Sequence, residues 1–465
     1  MSGFLDKFYN KSPWFIQDLM VTIYGVMLYR REYGGKFRDL LDEFEKRQWL
    51  SHGDIVEYQN QRLRLLIGHC YENVPYYRKV MDDRGLKPSD IAMVNDLFKL
   101  PVLTRDDVRA NLEALTTRSP RSSRYIIGHT SGTTGTPLEL RWDDRICFIK
   151  TVVDWRQKRI AGINPGDPMA FFLGRTVAPL DQKKPPFWRH NRVMNQLFCS
   201  SWHLSAENLE AYFSKLERFR PLAIEGYPST MSILAGYLVS RKKTFPLKAA
   251  FTSSETLMPS QREMIERAFA CRLFDFYGMA ERVAFSTECE EHDGKHLNLD
   301  FSVMEVLDKD GNPAAGGQIG RVVATGLHNL AMPLIRYQTS DVTALRGVPC
   351  KCGRGFPLME NITTKDEDIV STRDGRYISS SILNALTHHL TSLTEHQVVQ
   401  EDRDRVVMKI VRRPNYTQAD EDFLLRELRR TLGEGMTVEL EYVDAIPRTA
   451  AGKFRWVISK VPLEF

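Results

Sequence analysis

Cysteine is scarce: seven in 465 residues, and an odd number. That excludes a disulfide framework and points to a reducing compartment. Charge of one sign is scarce too. The net charge is only +5, and no block of consecutive lysines and arginines forms a basic tail, so nucleic acid is not an expected partner. Long hydrophobic runs are missing. The most apolar stretch near the start, Trp14 to Tyr29, is broken by Gln17 and Asp18 and closed by Arg30-Arg31-Glu32. It is short for a membrane span and reads as a helix packed on the main domain, with peripheral membrane contact as the alternative. The N-terminus lacks a basic region, an apolar core and a small-residue cleavage site in succession, so a cytoplasmic protein is expected. No repeat or low-complexity segment is visible. What is there is ordinary for a globular enzyme: 42% hydrophobic and 26% charged residues, in a chain long enough for two domains. Oligomeric state is not legible.

Elements follow from periodicity. Leu40, Leu41 and Phe44, then Leu63, Leu65, Leu66 and Ile67, predict two helices separated by residues 49–53. The second should end at the proline of Asn73-Val74-Pro75-Tyr76-Tyr77. Thr104-Arg105-Asp106-Asp107 fits a capping box, and so does Ser260-Gln261-Arg262-Glu263. Strand, loop and helix alternate from Ala170 to Tyr277, which predicts an α/β fold with a largely parallel sheet and helices on its faces. Ligands collect beyond the carboxyl ends of such strands, and Glu255, Tyr277 and Glu281 come from those ends. Pro185 to Asn191 reads as a rigid aromatic and basic loop of the kind that lines sites, with a surface hairpin tip as an equal alternative. From Val303 the pattern turns antiparallel, with a tight hairpin at Asp308–Gly311 and a small β-barrel or second sheet. Residues after about Lys365 form an α+β tail whose main helix is capped by Thr417 and ended by Gly433.

One stretch stands out: His129-Thr130-Ser131-Gly132-Thr133-Thr134-Gly135-Thr136-Pro137-Leu138. Gly132 and Gly135 permit positive φ. Successive N–H groups in such a turn form an anion nest to which Ser131, Thr133 and Thr134 add donors. It is not a Walker A loop, since no Gly-Lys-Ser/Thr follows; a Ser/Thr-rich surface turn is the competing reading. Three later stretches decide between them: Tyr277-Gly278-Met279-Ala280-Glu281, Arg336-Tyr337-Gln338-Thr339-Ser340-Asp341, and the segment from Pro447 to Lys453. In this order they resemble the phosphate, adenine, ribose and lysine motifs of the AMP-forming acyl-adenylating enzymes. Asn73 to Tyr77, Gly174-Arg175 with Pro185 to Trp188, Glu225 to Ser229, and Thr449 to Arg455 are similar to the phenylacetate-CoA ligase-like group and its capsule-biosynthesis (CapK-like) branch.

The resemblance implies a large domain over 1–366, of multiple sheets with helices and a small β-barrel, and a small mobile α+β domain over 367–465. It implies that Ser131, Gly132, Thr133, Thr134 and Gly135 hold the ATP phosphates, and that Tyr277 with Gly278, Met279, Ala280 and Glu255 surrounds the adenine and α-phosphate. Glu281 would bind Mg²⁺, Asp341 the ribose, and Lys453 the α-phosphate and substrate carboxylate. Two departures stand out. Ala280 replaces a hydroxyl residue that normally meets the α-phosphate, and Lys365 replaces an arginine and cannot form its bidentate fork. Glu367 falls at the hinge. The expected partners are a small carboxylic acid and an acceptor: a sugar, an amine or CoA. The loop Ser371 to Tyr377 lacks the Arg-Gly pattern that follows the hinge in CoA ligases, which favours direct transfer in surface polysaccharide assembly over acyl-CoA ligation. A non-catalytic scaffold with this fold is the third reading. His203, Trp188 and Tyr227 are candidate pocket residues by position.

Cys289, His296, Cys350 and Cys352 are candidate zinc ligands, with His292 as a rival fourth. Cys350-Lys351-Cys352-Gly353 supplies two thiolates on one turn. The resemblance places the Cys289 segment beside it.

Overall fold

The computed structural model describes residues 8–119, 124–130, 138–174, 177–179, 182–205, 207–362, 364–365, 369–373, 377–380, 383, 386–387, 390, 392–433, 435–449 and 454–461. The expected domain boundary at 366/367 and Glu367 lie outside them. So do the central residues of the phosphate-loop stretch, 131–137, and Lys453.

Helices open the chain. Phe37–Arg47 buries Phe37, Leu41 and Phe44 on one face. His52–Asn73 starts at Ser51, whose hydroxyl accepts the Asp54 N–H. It ends before Pro75, as the sequence predicts, but the proline also begins a new helix, Pro75–Asp83. Its missing N–H costs nothing at a first helical position.

Among the described residues the main sheet has nine strands. Gln196–Cys199, Met169–Phe172, Ala223–Gly226, Ala249–Ser253 and Arg272–Gly278 run parallel at its centre, and antiparallel strands close both edges. Side chains alternate between faces with period two. Ala170, Phe172, Ile224, Ala250 and Leu273 pack under the helices Leu209–Phe219, Pro228–Ser240 and Pro259–Phe269. Met169, Phe171, Ala223, Phe251 and Phe274 face the helix Asp144–Ile160. Both faces are therefore buried, which is the environment parallel sheets require.

Three local expectations need correction. Trp188–Asn191 is an edge strand paired with Gln196–Cys199, not a loop; its alternating burial shows the pleat that composition hid. The helix at 260 begins at Pro259, and the Gln261 side chain, not Ser260, closes the cap by accepting the Met258 N–H. The strands Ser302–Leu307 and Gly320–Gly326 do pair antiparallel, and the chain does reverse tightly at Asp308–Gly311, where Leu307 bridges Pro313, but that turn does not lead directly into the second strand. Asp308 to Asn312 turns on itself, the Asp308 side chain accepting two backbone N–H groups, before the chain returns at Gly320.

Ser302–Leu307, Gly320–Gly326, Tyr337–Thr343 and Thr364–Lys365 make a second, antiparallel sheet. The C-terminal unit sets Thr437–Tyr442, Arg405–Arg412, Leu393–Asp402 and Val457–Ser459 in a mixed sheet. The helix Gln418–Leu432 is capped by Thr417 and ended by Gly433, and it buries Leu424, Leu428 and Leu432. A separate apolar core confirms that this unit buries its own interior. The architecture is multi-sheet α/β with a distinct α+β unit at the C-terminus. No described helix is long and apolar enough to cross a membrane.

One core residue makes stability pH-dependent. His328 lies between the rings of Phe44 and Phe301 and donates Nε2–H to the Asp300 carbonyl at 2.7 Å. Burial holds its pKa down to about 3, against an ordinary 6.5. The unfolded chain therefore binds a proton here that the folded chain refuses. The contribution is whole above pH 6.5 and is lost as pH falls toward 3. Acidifying from pH 7 to 5 should cost about 2 kcal/mol at this site. In urea unfolding, His328→Gln should lose less stability than the parent over that interval; equal losses would refute the assignment.

Candidate active site

The carboxyl ends of the central strands open into a cavity of about 970 Å³, whose walls include Arg105, Thr130, Glu255, Tyr277, Glu281 and Asp341. Stretches far apart in sequence meet here because the strands ending at Ser253 and Gly278 are neighbours in one sheet, while Asp341 comes from the second sheet.

Tyr277 donates its hydroxyl to Asp341 Oδ2 at 2.7 Å. Burial, and then the Asp341 charge, push the phenol well above its ordinary pKa, so it stays a donor. The Asp341 N–H binds the Thr339 hydroxyl at 3.1 Å, fixing the turn. One oxygen of the expected ribose acceptor is thus engaged by the expected adenine-side aromatic residue. The sequence separated these two roles; the structure couples them. Gly278, Met279 and Ala280 line the same wall. A Cβ on Gly278 would come within 3.3 Å of the Phe285 ring. Lys365 pairs with Asp341 in backbone register; its side chain lies outside the described residues.

Glu281 is nearly buried. It accepts a hydrogen bond from the Tyr337 hydroxyl at 3.0 Å, with the Arg105 guanidinium at 4.0 Å. Burial raises its pKa, and the tyrosine and arginine only partly offset this. A desolvated carboxylate suits a hard cation, which would replace the lost hydration. Glu281 could hold a hard divalent cation such as Mg²⁺ there.

Arg105 is a residue that sequence reasoning passed over. Its Nη2 donates to the Thr130 hydroxyl at 2.7 Å, beside the phosphate-loop stretch. The signal was present but misread, since the Thr104 capping box marks a helix start and says nothing about where the first side chain points. Thr130 also accepts the Leu138 N–H at 3.0 Å and donates its own N–H to the Leu138 carbonyl at 3.1 Å. The two ends of the stretch are clamped together. Ser131, Gly132, Thr133, Thr134 and Gly135 lie outside the described residues.

Glu255 also has partners the sequence did not suggest. Oε1 accepts the Ser229 hydroxyl and the Phe454 N–H, and Oε2 accepts the Ser229 N–H, each at 3.0 Å. Phe454, Arg455 and Trp456 line the cavity. Glu255 thus ties the residue after Lys453 to the start of the Pro228–Ser240 helix. Of the three pocket candidates, Tyr227 lines the cavity. His203 and Trp188 do not, because both belong to the far edge of the sheet. His203 stacks on Phe187 with Nδ1 at 2.8 Å from the Ser200 hydroxyl, and Trp188 packs edge-on to Tyr212.

Away from the cavity, on the opposite sheet edge, the ligand atoms of Cys289, His296, Cys350 and Cys352 lie within 4.8 Å of one another. Cys289 Sγ is 3.7 Å from Cys350 Sγ, and Cys352 Sγ is 3.3 Å from His296 Nε2. His296 Nδ1 donates to the Phe356 carbonyl at 2.8 Å, which fixes the tautomer and leaves the Nε2 lone pair facing the sulfurs. Burial lowers the His296 pKa, keeping the ring neutral. Backbone N–H groups of Glu291 and Arg354 approach Cys289 Sγ and Cys352 Sγ at 3.5 Å. The rival, His292, instead holds Glu288 through Nδ1 at 3.0 Å.

Comparison with known proteins accords with this geometry. Residues 370–460 match the CapK C-terminal domain family. Protein CapK of Staphylococcus aureus is 27% identical over 465 residues, spanning 98% of this chain and 100% of its own. A phenylacetate-coenzyme A ligase of Thermus thermophilus is 26% identical, over 86% of this chain and 95% of its own. Among solved structures, a 2-hydroxyisobutyryl-CoA ligase in its postadenylation state superposes with a TM-score of 0.71 at 23% identity, covering 89% of this chain and 91% of that one. Full-length similarity, a matched C-terminal domain and a shared fold lead to one conclusion: over nearly its whole length the chain is similar to CapK and to the phenylacetate-CoA ligases, AMP-forming enzymes.

Proposed function

We propose that this enzyme activates a carboxylic acid with Mg·ATP and passes the acyl group directly to a sugar or amino acceptor in surface polysaccharide assembly. The observation that carries the nucleotide reading is the Tyr277–Asp341–Glu281 constellation in one cavity, with Phe454 on its wall. In the first half-reaction a carboxylate oxygen attacks the α-phosphorus, the bond to the bridging oxygen breaks, and pyrophosphate leaves with the electron pair. Asp341, held by Tyr277, accepts ribose hydroxyls on its remaining lone pairs. Arg105 lies where it can share phosphate charge with the loop at 131–137. Glu281 would hold Mg²⁺, whose charge would help neutralise the phosphates. Lys453 offsets the negative charge gathered where carboxylate and phosphate meet. In the second half-reaction the acceptor attacks the acyl carbon, and AMP leaves with the electrons of the C–O bond.

The polysaccharide role rests on similarity to CapK and on the Ser371 to Tyr377 segment, whose sequence lacks the Arg-Gly pattern expected beside a thiol path. The competing acyl-CoA ligase reading is favoured by the phenylacetate-coenzyme A ligase relatives. The deciding experiment screens carboxylic acids for ATP–pyrophosphate exchange, then adds CoA to the best substrate. Exchange without faster turnover on CoA is the expected result. Robust acyl-thioester formation would establish the ligase instead, and no exchange with any acid would count against adenylation itself.

A zinc ion held by Cys289, His296, Cys350 and Cys352 completes the proposal. Three sulfurs and one imidazole nitrogen suit a closed structural site. It would brace the sheet edge, where His296 pairs with Thr287 and Thr287 with Phe276, next to Tyr277.

A further inference from the structure

The helix Trp14–Glu32 packs the wrong way round for a soluble surface. Only Gln17 and Gly25 are buried along it. Its inner side is polar: Gln17 Oε1 accepts Arg189 Nε at 2.7 Å, Asp18 accepts the His190 N–H at 3.0 Å, and Thr22 donates to the His190 carbonyl at 3.1 Å. Gly25 lies so close to Asn191 that a Cβ would overlap its side chain. These contacts satisfy the free edge of the nine-stranded sheet at Trp188–Asn191, which otherwise would offer unpaired backbone groups.

The outer side is apolar. Phe15, Leu19, Ile23 and Met27, spaced four apart, are 57, 58, 54 and 57% exposed. They form one stripe along a helix about 28 Å long, with Trp14 at its start and Tyr29 near its end. Helices this apolar are normally buried, and exposed apolar patches of this kind mark an interaction surface.

Charge identifies the occupant. Lys11 before the stripe, Arg30 at its end and Arg192 beside Thr22 are exposed cations. The helix's two acids are turned away from this face: Asp18 holds His190, and Glu32 holds Arg31 and the Thr151 hydroxyl. A convex apolar crest with aromatic ends and cations around it has the chemistry of a helix lying in a bilayer interface. We propose that this helix docks the enzyme on an anionic lipid surface, its crest in the headgroup–acyl boundary and its cations on lipid phosphates.

Flotation with large unilamellar vesicles tests this on the full chain. The parent should float with vesicles of phosphatidylglycerol and phosphatidylcholine in equal parts, and less with phosphatidylcholine alone. Combined Phe15→Ser, Leu19→Ser, Ile23→Ser and Met27→Ser should weaken flotation roughly tenfold or more, with circular dichroism unchanged because the four side chains are on the surface. Lys11→Glu, Arg30→Glu and Arg192→Glu together should weaken it similarly while leaving the apolar crest intact. A parent that does not float, or an apolar variant that floats as well as the parent, would overturn the proposal. So would a parent that remains in solution as a dimer which the serine variant splits, since the crest would then join two copies. Pyrophosphate exchange is measured separately in solution, so failure here is distinguishable from failure of the adenylation reading.

Discussion

Lys453→Ala should lower adenylate formation by about a thousandfold or more while leaving ATP binding and the melting transition nearly unchanged. A single preorganised charge at a developing anion is worth roughly 10²–10³ in rate. Here two anions must meet, so removing their shared cation adds repulsion to lost stabilisation. The next residue shows what the segment touches. The Phe454 N–H donates to Glu255 Oε1, and Phe454 lines the cavity beneath the Arg448 guanidinium. A charged lysine beside a glycine carries no apolar packing of its own, so truncation should not unfold the unit. The measurement is ATP–pyrophosphate exchange beside nucleotide binding by calorimetry. Exchange at the parental rate would show that the C-terminal lysine has no part in the first half-reaction.

Protein purified without chelator should carry about one zinc per chain, and removing the metal should cost stability on the order of several kcal/mol. Zinc bound only by the folded chain contributes its binding energy to folding. Cys350→Ser replaces a thiolate with a hydroxyl that stays protonated, so it should lose the metal and melt earlier. The effect should extend to the nucleotide side, because His296, Thr287 and Phe276 are consecutive cross-strand partners. Weaker ATP binding in Cys350→Ser is therefore expected. Trace zinc in the parent, with unchanged melting in the variant, would remove the metal from the account.

Several elements of the site were legible in the residues. The alternation of strand and helix from Ala170 to Tyr277 predicted a parallel sheet, and such a sheet places Glu255, Tyr277 and Glu281 at one end. That inference needs only period and connection length. The capping boxes divide instructively. Thr104 caps as expected, whereas Ser260 does not, because Pro259 is better suited to the first turn and moves the cap to Met258. Trp188–Asn191 resembles a loop because Pro185 and Pro186 lie just before it; only the partner strand Gln196–Cys199 reveals it as an edge.

By itself the sequence determined which chemical groups are available and in what order: the hydroxyl-rich glycine stretch, Tyr277 to Glu281, Asp341, Lys453 and the cysteine pairs. Periodicity and turn chemistry are local, so they survive without the fold. Only the tertiary structure decided which groups meet. It joined Tyr277 to Asp341 across two sheets and set Arg105 on Thr130. It also chose His296 over His292 by giving each nitrogen a different partner, and turned the polar side of the first helix inward. Hydrogen bonds and burial between residues tens to hundreds of positions apart depend on strand order and register, which no local pattern of residues encodes.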